Sequence, residues 1–192
     1  FNLANLSLDG TVKVRELYLP KFKHNMPEKV ALLFGENAWL TAESSFSASR
    51  DGLLAAAGKI TYQPQQEKNT AVIIDPANAA ARGAISYKIS FDKEKIHLEH
   101  LDFRAGEFSL QGQGSFSRFA KDPKVAFSIQ TGEFLVGKTK EYPPLALFPE
   151  QAHDLVGKVF KNGTLQVNTL NFDGTLEQLN NLSDPKNLAL VD

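Results

Sequence analysis

The feature that most constrains this chain is a period of two. In AISYKISF, Ile85, Tyr87, Ile89 and Phe91 alternate with polar or small partners, the pattern of a strand with one face buried. KVAFSIQT repeats it with Val125, Phe127 and Ile129, and EFSLQGQGSFSRF sets Phe108, Leu110 and Phe116 against Ser, Gln and Gly. NAWLTAESSFSAS followed by LLAAAGKITYQP reads as a hairpin around Arg50-Asp51-Gly52, because Asp-Gly favours tight turns. Asp92-Lys93-Glu94 turns the chain between two more strands. The expected fold class is mainly β: a large curved antiparallel sheet or open groove of about eight to ten strands, with two short helices and a repeat-like architecture.

Two segments break the alternation and resemble each other. PEKVALLFG at 27–35 and PEQAHDLVG at 149–157 each put Pro and Glu in a first helical turn, where both are favoured. Each carries apolar residues at helical spacing (Val30, Leu33, Phe34; Ala152, Leu155, Val156) and ends on Gly35 or Gly157, a left-handed cap. Read as an internal repeat, they divide the chain into residues 1–148, with the helix at 27–35, and residues 149–192, the start of a further, truncated unit. Alternatively, they are two unrelated short amphipathic helices.

A second phrase also recurs. Leu3/Leu6/Leu8/Gly10, Leu98/Leu101/Phe103/Gly106 and Val167/Leu170/Phe172/Gly174 share one spacing, and Val14/Leu17/Leu19 copies it without the glycine. Residues i and i+3 of a regular strand face opposite sides. A bulge between them would return both apolar groups to one face and bend the strand, so a twisted, curved sheet with one apolar concave face is expected.

Catalytic chemistry is thin. The 192 residues carry a net charge of −1, which removes the bulk electrostatic case for nucleic acid or an anionic membrane surface. Zero cysteines exclude disulfides, thiol catalysis and Cys-ligated zinc. No apolar run approaches the roughly 20 residues of a spanning helix. No nucleophile elbow, phosphate loop or zinc-protease helix is present. Gly106, Gly112 and Gly114 belong to an alternating strand region rather than a strand-to-helix loop, so bends or bulges account for them.

His97 and His100, with Glu94, Glu99 and Asp102, form the best metal-ligand grouping, and decoration of a solvated face is the simpler account. His24 and His153 are isolated. Asp173/Glu177 and Asp92/Glu94 sit at turns, with nothing to single out a glycosidase pair. PKFKH (Lys21 to His24) is too short for a nucleic-acid surface and reads as a solvated loop. Asn5-Leu6-Ser7, Asn162-Gly163-Thr164 and Asn181-Leu182-Ser183 match a glycosylation pattern that recurs by chance. No enzyme activity and no cofactor are expected. The apolar strand positions then have two readings. They form a core closed by helices and a second layer, or they leave an open apolar groove that two short helices cannot cover.

The stretch KISFDKEKIHLEHLDFRAGEFSLQGQGSFSRFAKDPKVAFSIQTGEFLVG resembles the AsmA-like repeats of Gram-negative bacterial envelope proteins. In that family a strand bearing a spaced-leucine phrase with glycine is followed by a G-x-G strand and then by a strand after proline. The matching positions are Leu98, Leu101, Phe103 and Gly106, then Gly112 and Gly114, then Pro123 with Val125, Phe127 and Ile129. The segment PPLALFPEQAHDLVGKVFKNGTLQVNTLNFDG is similar to the family's helix-glycine-strand unit through Pro149, Gly157, Gly163 and Gly174. The likeness spans about residues 80–180, with a weaker echo over 1–62.

The resemblance implies β-sheet units forming an apolar groove that supports lipid transport and outer-membrane homeostasis without catalysis. It implies a periplasmic segment excised from an inner-membrane-anchored parent. Its partners would be a phospholipid or other acyl-chain lipid and neighbouring repeats of the same chain, with no nucleic acid. The groove candidates are Leu98, Leu101, Phe103, Phe108, Leu110, Phe116, Val125, Phe127 and Ile129. The alternative is a β-scaffold or protein-interaction module with a closed core and no ligand.

Overall fold

A computed structural model describes residues 7–19, 21–22, 38–50, 52–64, 82–117, 122–136, 163–182 and 184–192. Among these residues ten strands follow one another: β1 (Ser7–Tyr18), β2 (Ala38–Ser49), β3 (Leu54–Pro64), β4 (Gly83–Phe91), β5 (Lys95–Ala105), β6 (Phe108–Ser117), β7 (Lys124–Thr131), β8 (Phe134–Leu135), β9 (Thr164–Leu165) and β10 (Leu170–Thr175). Helices α1 (Leu176–Asn180) and α2 (Pro185–Leu188) close the chain. Strands β1 to β7 lie side by side in sequence order, and β10 joins the far side of β7, giving one eight-stranded sheet that does not close on itself. Every pairing is antiparallel. The mainly-β architecture expected from the alternation is therefore what the chain adopts.

The turns form where the sequence places them. Gly52 takes φ +83° between β2 and β3, donating its N–H to the Ser49 carbonyl. Between β4 and β5 the Asp92 carboxylate accepts the Glu94 and Lys95 N–H groups at 2.8 and 2.6 Å, an Asx-type turn. The helices expected at 27–35 and 149–157, and with them the repeat boundary at 149, lie outside the described residues. The two described helices instead follow β10. Thr175 and Gln178 form a capping box for α1, and the Asp184 side chain caps α2 ahead of Pro185.

The spaced-apolar phrase has a structural cause. Three residue steps from Leu98 to Leu101 span what two steps span from Gly114 to Gly112 on β6 and from Ile89 to Tyr87 on β4. Three from Val14 to Leu17 likewise match two, Ala42 to Leu40, on β2. In the third copy Val167 lies ahead of the β10 ladder, its carbonyl accepting the Thr131 N–H and its own N–H donated to Thr131 Oγ1, and Leu170 opposite Ile129 is the first paired residue. In β5 and β1 the extra residue keeps both apolar side chains on one face. The Leu3–Leu6 part of the first copy lies outside the described residues. In β1 the excess is taken up at Glu16, which has φ +52° and donates its N–H to Thr41 Oγ1.

The buried core sits at one end of the sheet. Leu19, Ala38, Tyr62, Phe103, Ala105, Phe108, Leu110 and Phe134 form one cluster. The β8–β9 pair closes over it through Phe134, whose ring meets Phe108 edge-on with centroids 5.6 Å apart.

Candidate functional site

Directly opposed residues of an antiparallel ladder share a face, so the register assigns the side chain of every paired residue to one face or the other. One row runs across all eight strands through Gly10, Phe46, Ala56, Ile89, Leu98, Gly114, Phe127 and Phe172. The next row runs through Leu8, Ala48, Leu54, Phe91, Ile96, Phe116, Val125 and Gly174. Neither contains a charged or hydrogen-bonding side chain. Seven gaps of about 4.8 Å make this face roughly 34 Å across.

The few hydroxyls on this face are held. Ser44 Oγ and Tyr87 Oη share a hydrogen bond of 2.6 Å. It passes over Gly58, where a Cβ would lie 2.6 Å from both Ser44 Oγ and the Glu43 carbonyl oxygen. Thr131 Oγ1 accepts the Val167 N–H at 2.9 Å. Burial pushes the Tyr62 phenol up to about 12, so it stays neutral at any physiological pH. The surface is thus uncharged as well as apolar.

Cover over this face is uneven. At the Phe134 end it is closed. Beside β10, Phe172 is 2% exposed, stacked on Phe127 with centroids 5.5 Å apart, and Leu190 lies over Gly174. Toward the β2–β3 hairpin and the β1 edge the cover thins: Leu8 is 64% exposed, Val12 54% and Leu54 42%. The rest of the row from Ala48 to Val125 is half-buried apart from Leu54.

The nine residues singled out from the sequence all fall on this face. They divide by depth. Phe103, Phe108 and Leu110 are buried in the closed cluster, whereas Leu98, Leu101, Phe116, Val125, Phe127 and Ile129 are half-buried. The groove candidates left out Leu8, Val12 and Leu54, the exposed part of the surface, and half-buried Phe46. The alternation in β2 carries the signal for Phe46.

The opposite face is polar and ion-paired. Lys13 meets Glu43 at 2.7 Å, Lys88 meets Glu99, and Arg104 grips Asp102 through two nitrogens at 3.0 and 3.1 Å. The Lys88 contact, then that of Ser90, holds the Glu99 carboxyl below its ordinary range. The bulge brings His97 and His100 onto this same face. His97 faces Asp92 at 3.5 Å, and among the described residues no group of three or more potential ligands gathers around a metal position. A shallow depression of about 520 Å³ lies here, over Ala55 and Ala57, with Asp9 and Lys88 at its margin.

Fold and surface together define an open antiparallel β-sheet protein with one continuous apolar face. Among the described residues no helix is long and apolar enough to cross a membrane. No family model matches the chain, and no curated protein or solved structure does either.

Proposed function

We propose that the chain is a non-catalytic, lipid-contacting segment of an AsmA-like envelope protein, whose apolar sheet face lies against acyl chains in the periplasm and supports lipid transport between membranes. The observation that carries this reading is the register: it collects the apolar side chains of eight strands on one uncharged face and leaves the Leu8–Leu54 side exposed. A surface of this width without charge or free hydroxyls suits a methylene chain, which gains about 0.8 kcal/mol per buried CH₂ and needs no polar recognition. The AsmA-like phrases at Leu98–Gly106 and Gly112–Gly114 supply the class of parent protein.

Photo-crosslinking residues at Phe46, Phe91 and Phe116, followed by mass spectrometry of the protein purified under mild conditions, test it. Acyl-lipid adducts are expected at all three and at neither Ser45 on the polar face nor buried Phe103. Adducts absent from all three positions, or equally abundant at Ser45, would falsify the reading. The closed cluster around Phe108 and Phe134 favours a second reading, a β-scaffold without ligand, and that is the outcome an adduct-free protein would support.

A further inference from the structure

We propose that β1 is a self-complementary edge through which two copies of the chain pair antiparallel about Thr11, making one continuous sheet. Among the described residues no strand pairs with the outer side of β1, whereas the β10 edge is met by the chain's own end through reciprocal Asn171–Asp192 bonds of 2.7 and 3.0 Å. The two edges are therefore not equivalent. The β1 edge also carries the two most exposed large apolar side chains of the sheet face, Leu8 at 64% and Val12 at 54%, because each has a neighbouring strand on one side only.

The occupant follows from the order of residues. From Ser7 to Val14 the β1 ladder is regular, and the bulge at Glu16 ends it. Pairing this stretch with a second copy of itself, Thr11 against Thr11, sets Asp9 opposite Lys13 twice, once on each side of the two-fold axis. On the apolar face it sets Leu8 opposite Val14 and Val12 opposite Gly10, so both exposed side chains gain cover. Moving the centre to Gly10 would set Lys13 opposite Ser7 and lose the charge pairing. Moving it to Val12 would draw Arg15 and Glu16, at the bulge, into the ladder. The Thr11-centred register alone joins charge pairing with an unbroken ladder, and opposed charges in adjacent strands attract while like charges repel. In the single chain Asp9 faces Ser47, and Lys13 already meets Glu43, so Lys13 would lie between two carboxylates in the pair.

Sedimentation of the full chain over a range of concentrations tests the pairing. A reversible dimer is expected that weakens as salt rises. Asp9→Lys should raise its dissociation constant roughly tenfold or more, since both cross-copy attractions become repulsions, while at concentrations where both are monomeric its circular dichroism and melting match those of the parent. The second measurement does not depend on that variant. The chain has no cysteine, so Thr11→Cys supplies a sole thiol. In the proposed register it lies within disulfide reach of its own copy, and it should oxidise to a dimer much faster than a Ser45→Cys control. A chain that stays monomeric at every concentration, a dimer indifferent to Asp9→Lys, or equal oxidation of the two thiols would overturn the proposal.

Discussion

Gly58 controls the Ser44–Tyr87 hydrogen bond in the middle of the apolar face. With a Cβ at 2.6 Å from Ser44 Oγ and from the Glu43 carbonyl, Gly58→Ala must displace either the Ser44–Tyr87 bond or the β2 backbone. We expect it to cost about 1–3 kcal/mol of unfolding free energy in a urea titration. Ser44→Ala alone should cost on the order of 1 kcal/mol, because it strands the Tyr87 hydroxyl. The double change with Tyr87→Phe should be close to neutral, since both polar groups then leave together. Asp92 acts at the same scale in the β4–β5 turn. Its carboxyl is held below its ordinary range chiefly by the backbone N–H groups of Glu94 and Lys95. A carboxylate with a depressed folded-state value stabilises above its unfolded value and loses that contribution as pH falls through the folded one. Asp92→Ala should therefore melt below the parent at neutral pH, and the gap should close in thermal scans taken to strongly acid pH.

At the scale of the element, β5 shows how a one-residue excess sorts a strand. Without Glu99 the ladder against β4 and β6 becomes regular. Ile96 and Leu98 then turn to the polar side if Leu101 and Phe103 keep their face, or the reverse. Deletion of Glu99 is expected to abolish the cooperative unfolding transition, whereas Glu99→Ser should retain it, as followed by far-UV circular dichroism on heating. Depth along the strand separates residues of like chemistry. Phe108→Ala, at 1% exposure in the closed cluster, should cost about 3–5 kcal/mol, and Phe116→Ala, half-buried near the open side, markedly less. This depth is what the sequence does not carry. Alternation is a local property, so β2, β4, β6 and β7 and the turns at Gly52 and Asp92 are legible from the residues alone, and the Leu98/Leu101/Phe103 spacing even marks the bulge. Whether an alternating phenylalanine ends in the core or at the rim depends on β8 and β9, whose strands of two residues have no period to read. Helices α1 and α2 escape a periodicity search for the same reason, although Thr175-x-x-Gln178 and Asp184-Pro185 are capping signals.

Across the whole molecule, the final residues have a protective role. They cover Phe172 and Gly174 and occupy part of the outer side of β10. Removing residues 184–192 should lower the melting temperature and produce concentration-dependent light scattering, since a bare sheet edge templates association. The strand order has a consequence in time. From β1 to β7 each strand lies beside its immediate chain neighbours, so the ladder can grow like a zipper from any early hairpin, and such sequence-local pairing speeds folding. β10 is the exception, reaching β7 only after residues 132–169 have been laid down. Closing that long loop is the costliest pairing of the sheet, so the refolding rate should be set by the docking of the last strand rather than by the seven that precede it.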